Sequence, residues 1–129
     1  EESNLRKLAD DRVTFHGFKN RAEVAEFYKH ATLLVHPTLD PEPFGLIIVE
    51  GMNFGLPSIS SEGSGSAWVA GESGITFKAN DVNDLSSKIQ MIYNDAALLE
   101  KLREKAAERV KYFDYKNWLP KLEEVLKKI

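Results

Sequence analysis

Cysteine is absent from the 129 residues, and this excludes several functional classes at once. Without thiols, the chain can hold no disulfide scaffold, no thiolate metal site and no cysteine nucleophile. Long apolar runs are lacking too, since runs such as residues 46–49 are far too short to cross a bilayer. A basic excess is also missing, because 17 Lys and Arg oppose 20 Asp and Glu, for a formal net charge of −3. We therefore expect no nucleic-acid partner unless a local basic patch exists.

The residues that are present have the composition of an ordinary folded domain, with 43% hydrophobic and 29% charged residues. The length predicts one domain over residues 1–129. Charge is distributed unevenly, since residues 96–129 carry nine basic against six acidic side chains. A solvated helix face explains this excess, and weak contact with an anionic membrane surface is the alternative.

Apolar periodicity alternates between that of strands and that of helices. Strands are predicted at residues 13–15, 32–35, 58–60 and 75–77. Helices are predicted at residues 21–30, 44–54 and 82–93, with a short turn at 67–70. Asn20 and Glu23 have the spacing of a capping box, and an amphipathic helix follows around Leu98, Leu102 and Ala106. This order predicts an α/β fold, in which a parallel sheet of about four strands lies between helical layers in a three-layer αβα arrangement with C-terminal helices.

The segment 44–54 could form a strand because it is rich in β-branched residues. Three signals favour a helix instead: Pro43 suits the first helical position, Gly55 suits C′, and Pro57 stops the helix just beyond. Its apolar residues surround most of the helix, so we expect it to be buried.

Two glutamates, Glu42 and Glu50, flank this helix start at a spacing of eight residues. Seven helical residues from the first position place Glu50 about 10 Å along the axis. Three backbone N–H groups are predicted to be free at the start, those of Phe44, Gly45 and Leu46. Such donors form a site that binds anions. Because Gly45 has no side chain, an oxyanion can approach the backbone closely there.

The spacing by itself is weak evidence, because a helix-start charge and a surface glutamate would look the same. What strengthens it is that Glu50 interrupts an apolar helix, where an unpaired carboxylate is costly to bury. A ligand with a diphosphate at the helix start could meet Glu42 with one hydroxylated group and Glu50 with another. A nucleotide-sugar has this order of groups.

The stretch Glu42-Pro-Phe-Gly-Leu-Ile-Ile-Val-Glu50 resembles the Glu-x7-Glu motif of the group 1 family of nucleotide-sugar glycosyltransferases, which have the GT-B fold. The resemblance extends over about residues 5–119, including Val13-Thr-Phe-His-Gly17 and the glycine-rich loop Gly63-Ser-Gly-Ser-Ala-Trp-Val. It implies a Rossmann-like, donor-binding C-terminal domain.

The resemblance also implies roles. Glu50 would bind the ribose hydroxyls of the donor, Glu42 would be the catalytic group at the donor sugar, and the three amides at the helix start would hold sugar and phosphate oxygens. The loop formed by Gly17, Phe18 and Lys19 would lie beside the base. The implied reaction transfers a sugar with retention to an acceptor such as a polysaccharide or glycolipid precursor, without metal or cofactor. Whether Glu42 acts as a nucleophile or as an electrostatic partner is left open, as is the nucleotide.

The chain departs from the family pattern at its start, Glu1-Glu2-Ser3-Asn4. An Arg and a Lys that neutralise the diphosphate, two earlier strands and the acceptor-binding N-terminal domain would all precede residue 1. We therefore expect a truncated domain that is inactive alone, with residues 13–15 pairing directly with 32–35. Phe113, Tyr115 and Trp118 are interpreted as aromatic residues that anchor the last helices; as the alternative, apolar surface left exposed around them would promote self-association. A cytoplasmic location is expected, with peripheral contact at the inner face of the membrane as an alternative.

Other functions are also compatible with parts of the pattern. A non-catalytic Rossmann-like module would keep the fold without the two glutamates' chemistry, and a GT-B epimerase or phosphorylase would use them differently. A phosphoacceptor receiver domain is disfavoured because Asp10 and Asp11 precede the first predicted strand. His36 follows a predicted strand and is interpreted as structural, with a pocket role as the alternative.

Overall fold

The computed structural model describes residues 2–39 and 42–128. Seven α-helices are formed in the described part: α1 (Glu2–Leu8), α2 (Arg21–His30), α3 (Leu46–Met52), α4 (Gly65–Ala70), α5 (Val82–Asn94), α6 (Ala96–Arg109) and α7 (Tyr115–Leu126). Three strands alternate with them: β1 (Leu34–His36), β2 (Ser58–Ser61) and β3 (Gly74–Phe77). Short 3-10 turns occupy Gly71–Ser73 and Val110–Phe113.

The sheet is parallel, in the order β1-β2-β3. The predicted α/β class is confirmed. About four strands are expected, but the described residues form three, because residues 13–15 form no strand. Direct pairing of 13–15 with 32–35 is therefore wrong. Side chains hold this segment instead: Phe15 lies 4.6 Å under the Arg6 guanidinium, and His16 packs against Phe27 of α2. A strand exists only where its backbone pairs with a neighbour, which this segment lacks.

Helices cover both faces of the sheet through two apolar clusters. One cluster joins α3 and α4 to α6, with Ile48, Met52, Val69, Ala70 and Ala106 buried. The other joins β2 and β3 to α5 and α6, with Ile59, Phe77, Ile92 and Leu102 buried. Helix α6 contributes to both clusters because Leu102 and Ala106 are four residues apart on its predicted apolar stripe.

Small residues let α4 lie close against the sheet. A Cβ on Gly74 of β3 would lie 2.6 Å from the Ala70 Cβ and 2.9 Å from the Ser58 hydroxyl oxygen. The buried serines of β2 therefore take the place of the bulky side chains expected in a central parallel strand.

The ends of α3 are set by two glycines. Residues 44 and 45 lie outside the helix, and Pro43 does not hold its first position, because Gly45 adopts φ 81° as the N-cap. At the other end the prediction is confirmed: Gly55 has φ 70°, its N–H donates to the Met52 carbonyl, and Leu56 N–H donates to the Gly51 carbonyl. These two bonds are those of a Schellman motif.

Helix α7 leaves an apolar face uncovered, with Leu122 and Val125 more than half exposed. Phe113 packs against the first cluster, whereas Tyr115 is exposed and Trp118 is only partly covered, its indole N–H donating to the Tyr112 carbonyl at 2.8 Å. Self-association through this surface stays a prediction. Within the described residues, no helix is both long and apolar enough to span a membrane.

Candidate functional site

Glu42 lies just beyond the carboxyl end of β1, and both of its carboxylate oxygens have a partner. The Ser66 hydroxyl of α4 donates to Oε1, and the His36 Nε2 lies 3.0 Å from Oε2. About three quarters of the Glu42 and His36 side chains are covered. The carboxylate is therefore held in one orientation at the edge of the sheet where ligands bind in open α/β folds.

Two glycines allow this arrangement by bringing the Glu42 segment against the start of α4. The Gly65 N–H donates to the Glu42 carbonyl at 3.0 Å. A Cβ on Gly65 would lie 2.5 Å from the Phe44 nitrogen and 2.6 Å from the Glu42 carbonyl oxygen. A Cβ on Gly45 would come within 2.9 Å of the Ser66 Cα. Backbone thus packs against backbone, and neither position has room for a side chain.

The predicted anion site at the start of α3 is altered by the late helix start. Of the three predicted amides, only that of Leu46 belongs to the helix, whereas Phe44 and Gly45 precede it. The Phe44 ring turns toward Trp68 and Phe113, with centroids 6.2 and 5.7 Å away, and the chain enters the helix only after Gly45. Because α3 starts at Leu46 and not at Pro43, Glu50 lies only about 6 Å along its axis instead of 10 Å.

Glu50 differs from expectation in its burial. Glu50 is exposed, so its carboxylate does not need a partner to offset a cost of burial. It has a partner nonetheless, because the Tyr28 hydroxyl of α2 donates to its Oε2 at 3.1 Å. Tyr28 is only 7% exposed and packs near Phe54, with ring centroids 5.6 Å apart. Burial raises the pKa of Tyr28 to about 12, and the Glu50 carboxylate acts in the same direction, so the hydroxyl is a protonated donor at neutral pH.

An open cleft of about 600 Å³ lies between α2 and α3. Glu50 and Lys19, predicted to act on the same nucleoside, both line it, together with Arg21, Tyr28 and Phe54. Gly17 and Phe18, predicted beside the base, are not among its lining residues: Phe18 is 96% exposed and Gly17 forms a turn with φ 63°.

Sequence reasoning missed Arg21 and Tyr28, although the signal was available. Arg21, Val24, Ala25 and Tyr28 follow the i, i+3, i+4, i+7 pattern of one helix face, and the helix itself was predicted with the bounds it has. The capping box that starts this helix is present, with Asn20 accepting from the Glu23 N–H and the Glu23 carboxylate accepting from the Asn20 N–H.

The cleft contains two cations in different situations. The Lys19 ammonium lies 3.2 Å from a Glu23 carboxylate oxygen. Arg21 forms no ion pair with any residue between 2 and 39 or between 42 and 128. Its guanidinium is thus available to an anionic ligand. In the same described ranges, no three His, Asp or Glu side chains are grouped as a metal site would require.

Known proteins resemble this chain in sequence. The family model described as "Glycosyl transferases group 1" matches residues 1–109. An uncharacterized glycosyltransferase of Methanocaldococcus jannaschii is 35% identical over 101 residues, which is 77% of this chain and 28% of that protein.

Solved structures of other proteins have a similar fold. Sucrose-phosphate synthase of Thermosynechococcus elongatus superposes with a TM-score of 0.85 at 30% identity, covering 98% of this chain and 33% of that one. Anabaena HepE, solved in complex with UDP, gives a TM-score of 0.85 at 25% identity, covering 99% and 35%. The chain thus spans about a third or less of the length of these proteins.

Proposed function

This chain belongs to the group 1 glycosyltransferases, and from that membership we propose that it forms the donor-binding part of an enzyme that transfers a sugar from a nucleotide-sugar to an acceptor, with retention at the anomeric carbon. The acceptor would be a polysaccharide or glycolipid precursor, held by an N-terminal domain of the same protein. The nucleotide-sugar is a substrate, and the proposal includes no metal or cofactor.

The observation that carries the proposal is the cleft in which Glu50 lies with Lys19 and Arg21. A carboxylate accepts hydrogen bonds from the vicinal hydroxyls of a ribose, as acidic residues do in dinucleotide-binding folds. Cations in the same cleft favour an anionic ligand. A nucleoside diphosphate combines both features, and the UDP-bound relative supports this ligand class. Lys19 would lie near the base and Glu50 at the ribose.

Glu42 would act on the donor sugar. When the bond to the diphosphate breaks, positive charge develops at the anomeric carbon, and a fixed carboxylate stabilises it electrostatically. A nucleophilic Glu42 would instead form a covalent glycosyl intermediate. The contacts of both Glu42 oxygens with Ser66 and His36 favour the electrostatic role, because an oxygen that accepts a hydrogen bond is a weaker nucleophile. The amides of Phe44, Gly45 and Leu46 would contact sugar and phosphate oxygens.

Titration of the chain with UDP-, GDP- and ADP-sugars, followed by amide NMR, tests the proposal. We expect one nucleotide series to shift the amides of residues 19–28 and 44–54 at millimolar concentration.

The matched pair of variants is Glu50→Gln and Glu100→Gln, both changes of an exposed helical glutamate. Glu50→Gln should weaken the nucleotide-dependent shifts, whereas Glu100→Gln on α6 should leave them unchanged. If no nucleotide produced shifts in these ranges, or if both variants bound like the unaltered chain, the proposal would be wrong.

A further inference from the structure

The contact between Tyr28 and Glu50 joins a buried side chain to an exposed one. Tyr28 is fixed by burial and by its packing near Phe54, and its hydroxyl has one proton to donate. That proton goes to Oε2 of Glu50 at 3.1 Å. The two residues are 22 positions apart, so the contact arises because the tertiary structure places α2 beside α3 and not from local chain geometry.

A glutamate in the position of Glu50 needs such a partner if it is to bind a diol. The side chain has three rotatable bonds, and on an exposed helix face it would sample several rotamers, whose loss opposes ligand binding. Pre-organised groups bind more tightly because that ordering is already complete. Oε1 of Glu50 accepts no hydrogen bond from any described residue, so it remains able to accept hydroxyls of a ligand.

We propose that Tyr28 is the positioning residue of the ribose site: its hydroxyl holds the Glu50 carboxylate in the orientation that accepts the vicinal hydroxyls of the donor nucleoside. The inference rests on the proposed function, since it assumes that a nucleoside enters the cleft. It adds a residue that acts through Glu50 and determines selectivity for ribose over sugars without the diol.

The test measures diol selectivity rather than binding alone. Dissociation constants of UDP, GDP and ADP and of their 2′,3′-dideoxy forms are determined by amide NMR in the unaltered chain, in Tyr28→Phe and in Tyr93→Phe. Phenylalanine keeps the ring and removes only the hydroxyl, and Tyr93 is an 87% exposed control. In the unaltered chain, one nucleotide should bind roughly tenfold or more tightly than its dideoxy form, the factor expected for hydrogen bonds to a charged group.

In Tyr28→Phe that ratio should fall to about threefold or less while the affinity for the dideoxy form is unchanged. A purely structural role for Tyr28 would weaken both nucleotides equally and leave the ratio intact, which would overturn the inference. Tyr93→Phe should keep the ratio of the unaltered chain.

A second measurement uses the Glu50→Ala background, because alanine removes the oxygen that accepts the Tyr28 hydroxyl. If Tyr28 acts through Glu50, adding Tyr28→Phe to Glu50→Ala should not change the ratio further, and a further change would contradict the inference. A ratio near one in the unaltered chain would refute ribose binding by Glu50, and the inference with it. An unchanged ratio in Tyr28→Phe would refute the inference alone.

Discussion

Replacing Gly65 by alanine sets two physical effects against each other at the site of Glu42. Gly65 is the first residue of α4, and its backbone conformation is not one that requires glycine. Helix propensity alone predicts that alanine stabilises the chain by up to about 1 kcal/mol. Packing predicts the opposite, because the added Cβ would lie 2.5 Å from the Phe44 nitrogen and 2.6 Å from the Glu42 carbonyl oxygen.

We expect the packing effect to be the larger one, because the atoms that the added Cβ would contact belong to the backbone. No side chain can rotate away, so the Glu42 segment must move as a unit or α4 must shift from the sheet. Overpacking of this kind costs about 1–3 kcal/mol, and occasionally more. Three backbone atoms lie within 2.6 Å of the added Cβ, so the overpacking cost should be near its upper value of about 3 kcal/mol. Less a propensity gain of about 1 kcal/mol, we expect Gly65→Ala to lower the free energy of unfolding by about 2 kcal/mol. The displaced segment should also lose the contact between Ser66 and Glu42.

Urea denaturation gives the free energy of unfolding, and amide NMR reports the segment 42–46. Gly63→Ala is the matched control two residues away: its φ is +74° and no atom lies within 4 Å of its added Cβ. It should cost about 1 kcal/mol through backbone strain, without altering the Glu42 contacts. A Gly65→Ala variant as stable as the unaltered chain, with unchanged shifts at 42–46, would refute the packing argument.

Two further predictions concern individual polar contacts. Ser66→Ala should lower the free energy of unfolding by about 1–3 kcal/mol in urea denaturation, because Glu42 loses the donor to its Oε1. Ser58→Ala is its control and should be close to neutral, since the buried Ser58 hydroxyl has no hydrogen-bond partner in the described structure. Tyr28 should make stability fall at high pH: its pKa is raised from 10 to about 12, so the folded state favours the protonated form. This contribution is complete below pH 10 and is lost between pH 10 and 12, by about 3 kcal/mol.

Each of these predictions has a result that would contradict it. Equal losses in Ser66→Ala and Ser58→Ala would show that the contact with Glu42 does not stabilise the fold. For the pH dependence, the comparison is with Tyr28→Phe, because lysines titrate in the same range and contribute equally to both proteins. Parallel curves between pH 10 and 12 would show that Tyr28 is not coupled to folding.

Helix α2 and the end of α3 illustrate what could be read directly from the residue order. The capping box of Asn20 and Glu23 involves residues three apart, and the Schellman motif at Gly55 closes within six residues. Such signals depend only on local backbone geometry and are therefore readable without the fold. The predicted start of α3 is wrong. Pro43 suits a first helical position, but Phe44 packs against Trp68 and Phe113, and the helix begins only after these contacts are made.

The segment 13–15 shows the limit of periodicity. Its residues have the composition of a strand, but a strand requires a neighbour that supplies hydrogen bonds, and no described strand lies beside it. The strand predicted from local preference is therefore wrong. Side-chain contacts of Phe15 and His16 with α1 and α2 hold this segment, in place of backbone hydrogen bonds to a neighbouring strand.

The amino-acid sequence by itself determined the α/β class, the absence of thiol chemistry and, through the resemblance of the motif Glu42–Glu50 and its neighbouring segments, the family. The tertiary structure alone decided which partners these glutamates have. Ser66 is 24 residues from Glu42, and Tyr28 is 22 residues from Glu50. Contacts across such separations depend on how the elements of the fold pack together, and at Glu42 that packing depends on Gly45 and Gly65, where no side chain has room.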